Sequence, residues 1–328
     1  MKRSTKAALL LMILSPSIAE LLSSSSPPLE YLNPISFLYL TTFYGFGALL
    51  IREFRARRGL GYSTVLFLGM AYGIIEEGLG VKSFFSTDWP DLGLLAWYGR
   101  LFGVNLVWSL ALTIYHSVIS IFIPIVITEV LYRDIRDEPW ITSSRVIKAM
   151  IIVFIFDVLI FNIGFVGHVH PTPIHYILTL LVILGLYWLS TWYRIRPFFI
   201  HWSPAASWLF GVLWMLFFYI IYFGFASLNI PAWITILTGV IHAYIGLRFF
   251  MRVELPDTPD NIKMAIALGP PSIFIFLAPF LEMDPTRPDN PAGMTVTGIF
   301  FAAVFILLYR RSRRPVEPHD LDNNVALE

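Results

Sequence analysis

Ten apolar stretches constrain this chain more than any other feature. They lie at roughly 7–22, 36–51, 62–84, 102–131, 149–167, 176–192, 206–228, 232–250, 264–281 and 295–309. Most approach the ~20 residues that cross ~30 Å of hydrocarbon as a helix; the first, second and last are shorter. In hydrocarbon every backbone polar group must be satisfied within the protein, so a span of this length is an α-helix. The fold class expected is therefore all-α: a polytopic integral membrane bundle of about ten transmembrane helices. Charged residues make up 14% of the chain, against about 25% in a soluble domain. The lipid bilayer is the partner this composition implies.

The basic residues give the bundle an orientation. With a cytoplasmic N-terminus, 20 of the 23 lysines and arginines fall on the inner segments, and only Lys82, Arg100 and Arg287 fall outside. That alternation follows the positive-inside rule and puts both termini in the cytoplasm of a cell-membrane protein. The first stretch has a rival reading. KRSTK followed by AALLLMILSPSIA resembles a signal peptide, with a cleavage point after Ala19. Retention is the expectation, and cleavage would leave the orientation downstream unchanged. Residues 1–310 read as one transmembrane domain and 311–328 as a charged, disordered cytoplasmic tail. The net charge of +1 gives no reason to expect a nucleic-acid partner. The absence of cysteine excludes disulfides, thiolate metal sites and a cysteine nucleophile.

Against this apolar background the segment AYGIIEEGLGVKSFF, residues 71–85, carries two adjacent carboxylates, Glu76 and Glu77. A charge at the centre of a spanning helix costs about 2.5–3.5 kcal/mol even on the lenient insertion scale, so such residues are functional by default. At 1.5 Å per residue the pair lies about 12–14 Å below the outer surface, His116 about 20 Å, and Asp157 and His242 about 15 Å. Four helices thus carry ionisable groups at similar depth, which predicts a shared polar cavity around Glu76, Glu77, His116, Asp157 and His242, with Lys82 in support. Adjacent helical residues point about 100° apart, so the two glutamates are not expected to face one spot. A carboxylate and an imidazole in such a pocket suit acid–base work on water. The plainer reading makes the same residues anchors between helices. His168, His170 and His175 sit at the outer rim without a metal-ligand spacing, and neither a metal nor a cofactor is expected.

A Glu-Glu pair on one helix, a histidine on the next and a further histidine beyond resemble the type II CAAX prenyl endopeptidase superfamily. Its pattern is Glu-Glu-x-x-x-Arg, then Phe-x-x-x-His, then His-x-x-x-Asn or Asp. Glu76-Glu77 matches the first motif, His116, 39 residues after Glu77, the second, and His175 the third by helix order. The resemblance implies a glutamate that activates water, histidines that position it or stabilise an oxyanion, and catalytic roles for Glu76, Glu77, His116 and His175. It departs at Val81, Leu112, Thr179 and, if His242 is taken instead, Gly246. The segments SPSIAELLSSSSPPLEYLNP and LTIYHSVISIFIPI also look like those of an uncharacterised prokaryotic membrane family, which implies no function.

Four functions are consistent with these residues. One is a metal-independent intramembrane hydrolase acting on a membrane-embedded peptide or protein. The second is a non-catalytic relative that binds a membrane partner. The third is a proton- or cation-coupled transporter. The fourth is haem b held by His116 and His242.

Overall fold

A recurring dipeptide sets several helix starts. Asn33-Pro34, Thr172-Pro173 and Ser203-Pro204 each place a capping side chain before a proline, which suits the first helical turn because its missing N–H would have no partner there. Asn33 Oδ1 accepts from the Ile35 amide at 3.0 Å and Ser203 Oγ from that of Ala206 at 3.2 Å. The structure, a computed structural model, describes residues 1–164, 169, 171–199 and 202–314.

Nine helices among the described residues are long and apolar enough to cross a membrane. In chain order they are α1 (Arg3–Leu22), α2 (Pro34–Arg57), α4 (Leu106–Leu131), α5 (Ser144–Gly164), α6 (Pro173–Trp192), α7 (Pro204–Ser227), α8 (Ala232–Glu254), α9 (Asp260–Met283) and α10 (Met294–Ser312). The helix between α2 and α4 is α3, Tyr62–Ile74 continuing as a π-helical turn, Ile75–Gly80. It is not one of the nine because it carries the glutamate pair, and it has no need to meet lipid: every residue of Tyr62–Ile74 except Leu68 is buried. Of residues 311–328, Arg311 and Ser312 close α10, and 315–328 lie outside the described residues, as do His168 and His170.

The bundle is organised around α4, the most enclosed of the nine, while α5 and α6 turn most of their surface outward. Against α4 pack α1, α2 and α3, as well as α8, α9 and α10. The helices α3 and α4 approach closely through glycine. A Cβ on Gly69 would stand 2.9 Å from Ser117 Cα, and one on Gly73 2.8 Å from His116 Cβ. Close backbone approach through small residues is how membrane helices gain dispersion contact where lipid removes the hydrophobic drive.

The second apolar stretch ends at Ile51, yet α2 runs on to Arg57. Its last turns stay inside because their charges pair. Glu129 Oε1 accepts from Arg52 Nε at 3.1 Å and Arg55 Nη1 at 3.0 Å, and Glu129 Oε2 accepts from the Tyr62 hydroxyl at 2.6 Å. Arg52 also reaches Glu53 at 2.9 Å and stacks 3.6 Å over the Trp140 ring. Burying ions this completely is tolerable only when each is paired. At the opposite end of α3, residues 81–105 fold back over the bundle. They include a two-residue hairpin, β1 (Arg100–Leu101) pairing antiparallel with β2 (Val104–Asn105). Its turn residues, Phe102 and Gly103, both have positive φ, 49° and 80°, as the hairpin's right-handed twist requires.

Candidate functional site

Glu76, Glu77 and His116 converge beneath the 81–105 segment. Their ligand-bearing atoms lie within 4.8 Å of one another and all three residues are buried. His116 Nδ1 is 3.2 Å from Glu76 Oε2, and Nε2 is 3.2 Å from Glu77 Oε1. The expectation that adjacent glutamates could not serve one spot is thus corrected. An imidazole carries its two nitrogens on different edges, so carboxylates diverging from one helix can straddle a single ring.

Local backbone helps them do so. The glutamate pair lies in the π turn Ile75–Gly80, and His116 opens another, His116–Phe122, in α4. A third π stretch, Ser17–Leu22, ends α1 and carries Glu20. Single π turns inside α-helices re-aim side chains and recur at functional sites. Here three of them bring their ionisable residues into one network.

Glu20 and Tyr44 extend that network. The Tyr44 hydroxyl lies between Glu20 Oε1, 2.5 Å away, and Glu76 Oε1. One hydroxyl has one proton to give. It donates to one carboxylate and accepts from the other, which must then carry a proton itself. Ser26 Oγ donates to Glu20 Oε2 at 2.7 Å. At the far end Ser83 Oγ donates to Glu77 Oε2 and accepts from Trp108 Nε1 at 2.9 Å. The result is an unbroken line of partners: Ser26, Glu20, Tyr44, Glu76, His116, Glu77, Ser83, Trp108. It crosses α1, α2, α3 and α4. Beside its Ser26 end, burial pushes the Tyr31 hydroxyl up to about 12.

Two atoms in this line stand out. Glu76 Oε2 is buried and accepts no hydrogen bond from any described residue. The nearby Nδ1 of His116 is aligned instead with Ser120 Oγ, 3.1 Å away. The other ring nitrogen of His116 is held by Glu77, a carboxylate–imidazole pairing that fixes ring orientation.

The other residues expected in the layer are elsewhere. His242 stacks on Trp214 with ring centroids 4.7 Å apart, and its Nε2 donates to the Trp214 carbonyl at 2.9 Å, a bond between α7 and α8. The rings of Tyr115 and Phe218 stand between it and His116, so no haem-like pair of facing imidazoles forms. Asp157 sits where α5 meets α2, its backbone carbonyl accepting from the Tyr39 hydroxyl at 2.5 Å. Lys82 Nζ donates to the Asn162 carbonyl at 2.7 Å. His175 works at the start of α6: Nδ1 accepts from the Thr172 amide at 3.1 Å and Nε2 donates to the Phe102 carbonyl at 2.9 Å. Nδ1 thus helps cap α6 and Nε2 ties the helix to the hairpin. Each of these residues is turned to other neighbours instead.

Sequence reasoning missed Glu20, Tyr44 and Ser83. Glu20 stands near the end of an apolar run, where a carboxylate reads as reaching the interface. The one signal for it was its place, with Ser26, at the edge of the serine-rich turn 23–26.

No curated protein and no solved structure matches the chain. A family model does, across residues 9–327. That span runs from within α1 through α10 and takes in all the residues of the buried carboxylate–imidazole line. The chain belongs to that family, an uncharacterised membrane protein family.

Proposed function

We propose that the Glu76–His116–Glu77 centre activates water, making the protein an intramembrane hydrolase of membrane-embedded peptides. The observation that carries this reading is the unfilled acceptor, Glu76 Oε2, beside an imidazole that Glu77 orients from behind. A water on Oε2 gives its proton to the Glu76 carboxylate as its oxygen bonds to the substrate carbonyl carbon. The same carboxyl then passes the proton to the departing amine, leaving one acid and one amine for one water consumed. The His116 Nδ1 edge, beside Oε2 and aligned with Ser120 Oγ, would have to release Ser120 to turn an N–H toward the developing oxyanion. The order of Glu-Glu and His on successive helices supports it by resemblance to the type II CAAX endopeptidases, without their third histidine motif. The protein would lie in the cell membrane with its arginine-rich face in the cytoplasm.

A second reading is favoured by the unbroken line from Glu77 to Glu20. Three buried carboxyl groups, Glu20, Glu76 and Glu77, share one imidazole and one tyrosine hydroxyl, so the centre has room to take up protons or a cation. Such a line relays protons and suits coupled transport.

One experiment separates the two. The full chain in proteoliposomes is offered fluorogenic transmembrane peptides, with a pH dye inside the vesicles. Hydrolysis that falls by roughly 10²–10⁴ in Glu76→Gln supports the hydrolase. No cleavage by the parent protein, with a proton flux that Glu76→Gln and Glu20→Gln both abolish, replaces it with the relay.

A further inference from the structure

At the end of α3 remote from the glutamates, a cavity of about 710 Å³ opens between α3, the segment following α6, and α8. Its walls include Phe67, Tyr193, Arg194, Arg196, Tyr244 and Arg248. Among the described residues three guanidiniums and no carboxylate line it. The hydrogen bonds of Arg194 and Arg248 go to neutral acceptors: Arg194 Nη1 to the Tyr193 carbonyl at 3.2 Å, Arg248 Nε to the Arg196 carbonyl at 3.0 Å and Nη1 to the Tyr244 hydroxyl at 3.2 Å. Their charge is left unspent at the cavity. Glu254, close enough for the field of Arg194 to act on it, stays outside the lining.

The aromatic surroundings suit a headgroup. Trp188, Trp192 and Tyr193 close α6 in contact, with centroids 4.8 Å and 5.9 Å apart, as aromatic residues do at headgroup level. Phe198 lies 4.4 Å beneath the Arg248 guanidinium and its amide donates to the Arg248 carbonyl at 3.2 Å. That contact holds one arginine in place before any ligand arrives. Planar guanidiniums bind phosphate oxygens in pairs, and basic pockets between helix ends at the membrane surface take anionic headgroups.

We propose that this cavity binds the phosphate of an anionic phospholipid, with Arg194, Arg196 and Arg248 as its ligands and the aromatic walls against the glycerol and upper acyl chain. The site is independent of the glutamate centre and of the function assigned to it.

The test is native mass spectrometry of the full chain titrated with phosphatidylglycerol and, in parallel, phosphatidylcholine. The parent protein should retain phosphatidylglycerol preferentially. In the Arg194→Gln, Arg196→Gln, Arg248→Gln triple variant that preference should fall on the order of 100-fold. A control with equal charge loss elsewhere, Lys2→Gln, Arg145→Gln, Lys148→Gln, should keep it. Equal retention of both lipids by the parent, or an undiminished preference in the triple variant, overturns the proposal. A third arm adds inorganic phosphate. It should neither displace the lipid nor raise the melting temperature; if it does both, free phosphate is the ligand and the lipid assignment falls. If the triple variant does not fold, the exposed Arg196→Gln alone should lose about fivefold, and no loss there counts against the site.

Discussion

His116 is the residue on which the centre depends, because each of its ring nitrogens faces a different carboxylate at 3.2 Å. Removing it leaves two buried carboxyl groups without their shared partner, a change that typically costs about 3–5 kcal/mol. His242 is also buried, but its side chain makes one hydrogen bond and a stacked contact with Trp214, with the Phe218 ring beside it and no carboxylate partner among the described residues. Its loss should cost about 1–2 kcal/mol. Unfolding His116→Ala and His242→Ala by SDS titration in mixed micelles should therefore give well-separated midpoints, with His116→Ala the weaker protein. Equal midpoints would show that the carboxylates find other partners. The same comparison sorts the two histidines by role, which their similar depth in the membrane could not do.

Between elements, the decisive contact is α3 against α4. Gly69 and Gly73 let the helices approach until a Cβ at either position would overlap Ser117 or His116. A methyl at Gly69 meets the Ser117 backbone, Cα at 2.9 Å and carbonyl at 3.0 Å, which no rotamer change can relieve. Gly69→Ala should thus destabilise by about 1–3 kcal/mol and move His116 off its glutamates, with loss of whichever activity Glu76→Gln abolishes. Gly185, on the outward face of α6, has nothing within 4 Å of its virtual Cβ. Gly185→Ala should be harmless, or stabilising by up to about 1 kcal/mol through helix propensity. A midpoint shift at Gly185 as large as that at Gly69 would refute close packing as the cause. The π turns act at this scale too. Without the extra residue in Ile75–Gly80, the glutamates would rotate relative to Gly69 and Gly73, and the helix face that packs would no longer be followed by the face that reacts.

For the molecule as a whole, two polar clusters pin opposite ends of the α2–α3–α4 core: Glu129 with Arg52 and Arg55 at one end, the carboxylate–imidazole line at the other. The arginine-rich end is the one expected inside. The absence of cysteine makes this measurable, since a single introduced thiol has no competitor. In intact cells a membrane-impermeant maleimide should label Ser25→Cys directly and Ser143→Cys only after permeabilisation; both positions are exposed. The reverse pattern would invert the bundle and move the glutamate centre to the cytoplasmic half.

Helix number, membrane class and the oddity of Glu76 and Glu77 could be read directly from the chain, because hydropathy and charge add up locally along a span. A carboxylate amid apolar residues is conspicuous wherever the helix packs. His116 was legible for the same reason. Which groups actually meet was not, since depth places a residue along the bilayer normal and leaves its rotation free. His242 turns to Trp214, and Asp157 sits where α5 meets α2, away from the centre. Glu20 and Tyr44 gave no signal, one as a charge near a helix end and the other as one aromatic among many, yet they share a hydroxyl contact with Glu76. Those encounters depend on glycine-mediated approach and on π turns, both set by packing between helices distant in sequence.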